Sequence, residues 1–393
     1  MEFKKIKEKF VESLIYISGT FTTLAVLFIV FFLFKEGSGI FKKTALEEGY
    51  SLAVNRYNPI TKLSPLQIKG IIEGDIHNWK QVGGNQDSVY IFTLSDIESK
   101  FTEEELGSEF ENLNIKISEY IETNTGVLAF FPSKYLDSSL VKVDVDQITL
   151  ASMLKGKDWY PTANPAAQLG ILPIILGSLL VSFGAIIIAL PLGLIVALYL
   201  AEIAGENLKN SIKTVIELLA GIPSVVYGFF GLVVLVPLVQ QTFNIPVGET
   251  ALSGSILLAL IALPTIISLS EDSISSTPQE LKNASLALGA NRLQTIFGVT
   301  LPFASSGIIS ASILGVGRAF GETMAVLMVT GNAAIMPTTF LEPVRTITAT
   351  IAAELGEAPT GGIHYEALFI LGSILFLFTF LMNLIAEFFS PKK

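Results

Sequence analysis

Residues 13–34 contain no charged side chain and are closed by Glu12 on one side and Lys35 on the other. About 20 apolar residues cross the hydrocarbon core of a bilayer as a helix. A run of this length therefore restricts the chain to folds built around membrane helices. Comparable runs lie within 159–201, 218–248, 250–270 and 367–386. A sixth candidate, 302–330, differs in carrying Arg318 and Glu322 inside "GVGRAFGETMAVLMVTGN". Six transmembrane helices are expected.

Composition agrees. Charged residues make up 15% of the chain, against roughly a quarter in a soluble domain, and the mean hydropathy is +0.60. The formal net charge of −10 arises mainly from residues 44–160, with stretches such as "FTEEELGSEFEN". That balance excludes a nucleic-acid binder. The chain has no cysteine, so disulfides are excluded and the redox compartment stays open. Histidine occurs only at His77 and His364, which argues against a His-based metal site. The apolar run that follows "MEFKKIKEKF" is too long for a signal peptide and no A-x-A-type site follows it, so a retained first helix is expected.

Lysine and arginine in short loops mark the cytoplasmic side. Lys4, Lys5, Lys7 and Lys9 precede helix 1, Lys209 and Lys213 lie between helices 2 and 3, and Lys282 and Arg292 lie between 4 and 5. Lys392 and Lys393 end the chain, whereas the opposite short loops carry only Arg345. Lys35, Lys42 and Lys43 dissent, but the segment they begin is long and obeys the rule weakly. Both termini are expected in the cytoplasm, with residues 36–168 outside. Proline recurs in "ALPLG" (189–193), "AGIPSVVYGFFG" (220–231) and "ALPT" (262–265). Breaks in three successive helices would suit a pathway through the bundle as well as ordinary packing of small residues.

Between helices 4 and 5 lies "STPQELKNASLALGANRLQTIFGVTLP", residues 276–302. Thr277 is the expected N-cap, Pro278 the first helical residue, and Glu280 the partner of Thr277 in a capping box. Leu281, Ala284, Ala287 and Leu288 fall on one apolar face, and Gly289 is placed to end the helix in the left-handed region. Such a helix lies on lipid or docks on a protein. With only Lys282 and Arg292 as cations, its polar face favours the protein partner.

The stretch 283–302 resembles the EAA-type coupling loop of ABC importer permeases. Asn283-Ala284-Ser285, Gly289, Val299, Leu301 and Pro302 stand at the motif's spacing, with Asn283 where glutamate is usual. The resemblance implies that Leu281, Ala284, Ser285, Leu288 and Gly289 engage a cytoplasmic ATPase. No G-x-x-x-x-G-K-S/T sequence occurs, so the ATP site is assigned to a separate subunit. "ELLAGIPSVVYGFFGLVVLVPLV" (217–239) and "GVGRAFGETMAVLMVTGN" further resemble permease subunits of phosphate importers, of the PstC type. That match is weak over 10–35 and good over 165–390.

An arginine at mid-membrane costs about 2.5–3.5 kcal/mol, which a partner offsets in part. Arg318 and Glu322, four apart on a helix, are expected on one face and within pairing reach. The pair could fix helix register. It could instead line an anion path, with Arg318 attracting an oxyanion and Glu322 offering the guanidinium an alternative. Glu322 could also accept a hydrogen bond from a protonated phosphate oxygen, which fully deprotonated sulfate cannot supply. Gly317 and Gly321 are expected to leave room there.

Residues 44–160 read as a small α/β domain: a short helix and turns across "LSPLQIKGIIEGDIHNWKQVGG", a strand at "SVYIFTL", helix through "TEEELGSEFENL", and a strand and turn at "TGVLAFFPSKYL". The segment is similar to a lobe of the extracellular phosphate-binding protein through Leu63, Gln67-Ile68, Gly74, Asn78-Trp79 and Val82-Gly83-Gly84. Where that family has an Arg and a Ser-Gly-Thr anion cradle, this chain has "TLSDIESKF", and Asp96 and Glu98 would repel phosphate. A degenerate lobe is implied, either docking a binding protein or covering an outer gate, or serving as a decoration without a transport role.

The expected protein is an all-α polytopic membrane protein with six transmembrane helices of the ABC importer permease type and a small α/β extracytoplasmic domain between helices 1 and 2. Its expected divisions are 1–43, 44–160 and 161–393. The resemblance implies ATP-driven import of inorganic phosphate, with another oxyanion such as sulfate or molybdate, or a membrane receptor, as rivals. It implies a second permease subunit (PstA-like), an ATP-binding subunit dimer (PstB-like), and an extracellular phosphate-binding protein (PstS-like). The chain would be multi-pass in the inner (plasma) membrane lipid bilayer, with no nucleic-acid partner, no metal and no cofactor of its own. No nucleophile–base constellation suggests an enzyme.

Overall fold

Pro191 and Pro264 do not end the helices that contain them. In the computed structural model, Leu172–Leu198 and Ala251–Ser275 each run through their proline unbroken. Each proline removes one i→i−4 hydrogen bond, and packing against neighbouring helices keeps the rest of the ladder. Only Pro223 separates two helices, Glu206–Gly221 and Ser224–Phe230. The expected breaks in three successive helices therefore reduce to one.

The structure describes residues 2–47, 49–107, 110–137 and 139–389, with side chains from residue 11 onward. The side chains of Lys4, Lys5, Lys7 and Lys9, and residues Lys392 and Lys393, lie outside the described residues. Among the described residues six helices are long and apolar enough to cross a membrane: Val11–Lys42, Leu172–Ile203, Ser224–Phe243, Ala251–Ser275, Arg292–Gly321 and Ile363–Phe389. These are numbered here as spans one to six.

The fifth span departs from expectation. It stops at Gly321 rather than continuing to residue 330, and Met324–Val329 forms a separate short helix. Glu322 is extended (φ −69°, ψ 135°), and its carboxylate accepts from the Thr323 amide at 3.2 Å. Its carbonyl accepts from the Thr348 hydroxyl at 2.7 Å. A local side-chain bond and a tertiary one together replace the helical ladder at that point. Wider π-helical turns, which the sequence does not announce, occur at Tyr199–Ile203, Gly231–Leu235 and Ile296–Thr300.

The chain forms two compact units. Among the described residues the first, 2–37, 171–360 and 368–389, holds spans two to five and most of spans one and six. Its main core packs Val181, Ala185 and Ala189 of span two with Leu257, Leu258, Ile261 and Ala262 of span four. Close approach depends on Gly184, where an added Cβ would lie 2.4 Å from Ser255 Oγ. That hydroxyl lies between the Ala251 carbonyl of its own helix at 2.7 Å and the Val181 carbonyl of span two at 3.2 Å, a polar contact between helices of the kind that lipid-embedded bundles use where apolar burial gives little drive. A second core joins Ala197, Leu200, Ile216, Ile267, Ile274 and Ala304. Beside it, Lys209 and Lys213 reach the buried Glu271 at 2.6 and 2.5 Å, fastening the helix Glu206–Gly221 to span four.

The second unit comprises 38–170 with 361–367, and so extends past 44–160 on both sides. Its sheet contains β1 (Tyr50–Val54), β2 (Lys62–Leu63), β3 (Tyr90–Phe92), β4 (Val127–Pro132) and β5 (Val141–Val145), in the order β2-β5-β1-β4-β3. β1 is antiparallel to both β4 and β5, while β3 runs parallel to β4 and β2 parallel to β5. The helix Leu113–Thr123 buries Leu113, Ile117 and Ile121 with Phe92 and Phe131. Within "TEEELGSEFENL", Glu103–Leu106 is α-helical, Gly107 turns at φ +81°, and Leu113 opens the next helix. The helix Pro65–Ile72 forms behind a Ser64–Gln67 capping box, and Gly74 and Gly83 turn at positive φ as their positions suggest. In "TLSDIESKF", Asp96 accepts from the Thr93 amide and hydroxyl at 2.8 and 2.9 Å, so this carboxylate caps its own turn.

Candidate functional site

Arg318 lies three residues before the end of span five and is exposed on the surface of the chain. Its Nη1 donates to Thr265 Oγ1 of span four at 3.0 Å. Thr265 follows Pro264, whose missing N–H leaves the Leu260 carbonyl without its helical donor. The guanidinium carries five N–H donors and no acceptor. A neutral hydroxyl holds one of them and leaves the positive charge uncancelled. Arg345 contrasts with it: Nε bonds to the Asn332 carbonyl at 2.9 Å, and Nη1 pairs with Glu354.

Arg318 and Glu322 do not pair. No ion pair joins them, because the helix ends at Gly321 and Glu322 leaves the face on which an i, i+4 partner would stand. This corrects the one-face expectation, and the physical cause is the extended backbone at Glu322. The room expected at Gly317 and Gly321 is present, since an added Cβ at either would meet no heavy atom within 4 Å. Sequence reasoning missed Thr265. A threonine inside a membrane helix ordinarily bonds to its own preceding turn, and nothing in the sequence singles this one out.

The loop 276–302 is built from two short helices, Gln279–Ala287 and Arg292–Thr295. The expected Thr277–Glu280 capping box does not form. Pro278 takes the cap position with extended backbone (φ −55°, ψ 134°), and the Thr277 hydroxyl is buried without a partner. The far end matches its expectation. Gly289 has φ +90°, its amide bonds to the Leu286 carbonyl at 3.0 Å, and the Ala290 amide bonds to the Ser285 carbonyl at 3.3 Å. These two bonds make a Schellman ending, for which glycine is suited.

Leu281, Ala284, Ala287 and Leu288 are all exposed, Leu288 at 91%. Gly289 is exposed beside them, and Ser285 is half-buried with its hydroxyl 3.0 Å from that of Thr295. Leu286, Leu293 and Phe297 add to the exposed apolar surface and were not singled out in the sequence.

Residues 189–393, more than half of the chain, match the family described as binding-protein-dependent transport system inner membrane component. The chain belongs to that family. This permease is 38% identical over 273 residues to the probable ABC transporter permease protein YqgH of Bacillus subtilis, across 70% of this chain and 87% of that protein. It is 36% identical over 256 residues to the phosphate transport system permease protein PstC of Mesorhizobium japonicum, across 60% of this chain and 77% of that one. The chain is also similar to the structure of an ABC-type phosphate transport receptor from Vibrio cholerae, at 25% identity and a TM-score of 0.20, over 28% of this chain and 52% of that chain. The permease is a multi-pass inner-membrane transport subunit rather than an enzyme.

Proposed function

We propose that this permease is the PstC-like subunit of an ATP-driven importer of inorganic phosphate, with Arg318 on the anion path. The observation that carries the substrate is the 36% identity to a phosphate permease over 77% of that protein's length. The site chemistry agrees. Arg318 is held by a neutral partner, the Thr265 hydroxyl, and has open space at Gly317 and Gly321. A guanidinium binds an oxyanion through parallel N–H donors. Glu322, just past the helix end, is assigned to the same path, where its carboxylate would accept a hydrogen bond from a protonated phosphate oxygen.

Energy enters through the exposed face of Leu281, Ala284, Ser285, Leu288 and Gly289, docked on a dimer of ATP-binding subunits. A second permease subunit completes the membrane portion, and an external phosphate-binding protein delivers the anion. The loop 276–302 and both termini are then cytoplasmic, and the α/β unit is on the outer side, with the binding protein as its partner. Cells that lack this permease and are complemented with it should regain ATP-dependent phosphate uptake. Restored sulfate or molybdate uptake, with phosphate uptake unchanged, would replace the substrate and keep the transport class.

A further inference from the structure

Both limbs of the loop 276–302 close on one residue of span two. Lys282, on the helix Gln279–Ala287, places Nζ 2.6 Å from Glu202 Oε1, and both side chains are only 11% exposed. Arg292, at the head of the next helix, donates from Nη2 to the Glu202 backbone carbonyl. Glu202 stands in the π-helical turn Tyr199–Ile203, where the Ala204 amide reaches back to the Tyr199 carbonyl at 2.8 Å. The last carbonyls of a helix have no partner within it, and Arg292 supplies one here. Removing one member of an ion pair withdrawn from water leaves the other charge buried, so the Lys282–Glu202 tie resists being pulled apart.

We propose that Glu202 is a positioning residue for energy coupling, fixing the loop to span two so that a push on the loop moves the membrane helix. The inference rests on reading 276–302 as the ATPase-coupling loop. Beside Glu202, the buried Leu200 packs in one core with Ile216, Ile267, Ile274 and Ala304, which belong to the helix Glu206–Gly221 and spans four and five. Packed cores have few arrangements available and transmit displacement rather than absorbing it. The loop thus has an exposed apolar face for a partner and a part-buried ionic anchor for the bundle. Neither the capping pattern nor the EAA-type spacing of the sequence points to Glu202.

The test uses the complete complex reconstituted in vesicles, comparing labelled phosphate moved per ATP hydrolysed. In Glu202→Gln, hydrolysis stimulated by the binding protein continues and the ratio falls roughly tenfold, within the range for residues in a coupling network. The exchanged pair Glu202→Lys with Lys282→Glu recovers most of the ratio. An unchanged ratio in Glu202→Gln would overturn the proposal. So would an exchanged pair no better than the single variant, including the case in which both fail to assemble. Loss of assembly in the single variant with recovery in the exchanged pair would support it. Failure of the coupling-loop reading itself would look different: the ATPase would stay bound when Leu288 is made acidic, whatever happens at Glu202.

Discussion

The Arg318 guanidinium and the Thr265 hydroxyl, 3.0 Å apart, link span five to span four one residue beyond Pro264. A carboxylate in the threonine's place would cancel the charge. A hydroxyl orients it and leaves four of the five guanidinium donors for other acceptors. Hydrogen bonds to a charged group contribute about 1.5–3 kcal/mol. Thr265→Val, which keeps the shape and loses the acceptor, should therefore lower phosphate uptake roughly tenfold or more, while Thr265→Ser stays close to wild type. ATPase co-purification should be the same in both. Normal uptake by the valine variant would remove Thr265 from the path.

Arg318→Gln should abolish uptake in a complex that still assembles, because the amide carries no charge to attract the anion. Glu322→Gln separates the observed geometry from the expected one. A buried pair loses about 3–5 kcal/mol when one member is removed, but Arg318 and Glu322 are not paired. The thermal midpoint of the purified Glu322→Gln complex should therefore match wild type, and a large drop would show that the two residues do pair in the membrane.

At the coupling loop, Leu288→Asp places a charge at the centre of the exposed apolar face and should release the ATPase on co-purification. Gly289→Val should do so by another route. A β-branched residue at φ +90° costs about 1–2 kcal/mol, which opens the Schellman ending and misplaces Leu288. Retention of the ATPase by both variants would contradict the docking assignment.

The loop after Met324–Val329 carries a pH-dependent clasp. The Thr338 hydroxyl and amide donate to the Glu342 carboxylate at 2.7 and 2.9 Å, and the Thr339 amide donates at 3.3 Å. Led by the Thr338 hydroxyl and opposed by desolvation, these bonds hold the carboxyl below its ordinary value of 4.5. A depressed value means that the contribution is present above the ordinary pKa and is lost as pH falls through the folded one. Hydrogen exchange at the Thr338 and Thr339 amides should be slow at neutral pH and lose its protection only below pH 4.5. Glu342→Gln should make the protection independent of pH. Wild-type protection that does not change with pH would exclude the clasp.

The membrane helices were legible because an uncharged run of twenty residues has one stable answer in lipid. Gly289 was legible because a left-handed helix ending strongly prefers glycine. The end of span five was not, since it depends on the Thr348 hydroxyl reaching the Glu322 carbonyl across 26 residues of sequence. Thr265 and Glu202 were hidden for the same reason: their partners, Arg318 and Lys282, lie 53 and 80 residues away. The helix Leu113–Thr123 could have been found, because Leu113, Ile117 and Ile121 recur every four residues. The failed Thr277 cap shows a strong local pattern shifted by one residue when Pro278 keeps extended backbone.

The most direct test reconstitutes the permease with its partner subunits in liposomes and follows ATP-dependent uptake of labelled phosphate against unlabelled arsenate, sulfate and molybdate. Arsenate shares the protonated oxygen of phosphate and should block uptake, whereas excess sulfate or molybdate should not. Uptake suppressed by sulfate, or sulfate carried in place of phosphate, would contradict the assignment of Arg318 and Glu322 to a phosphate path.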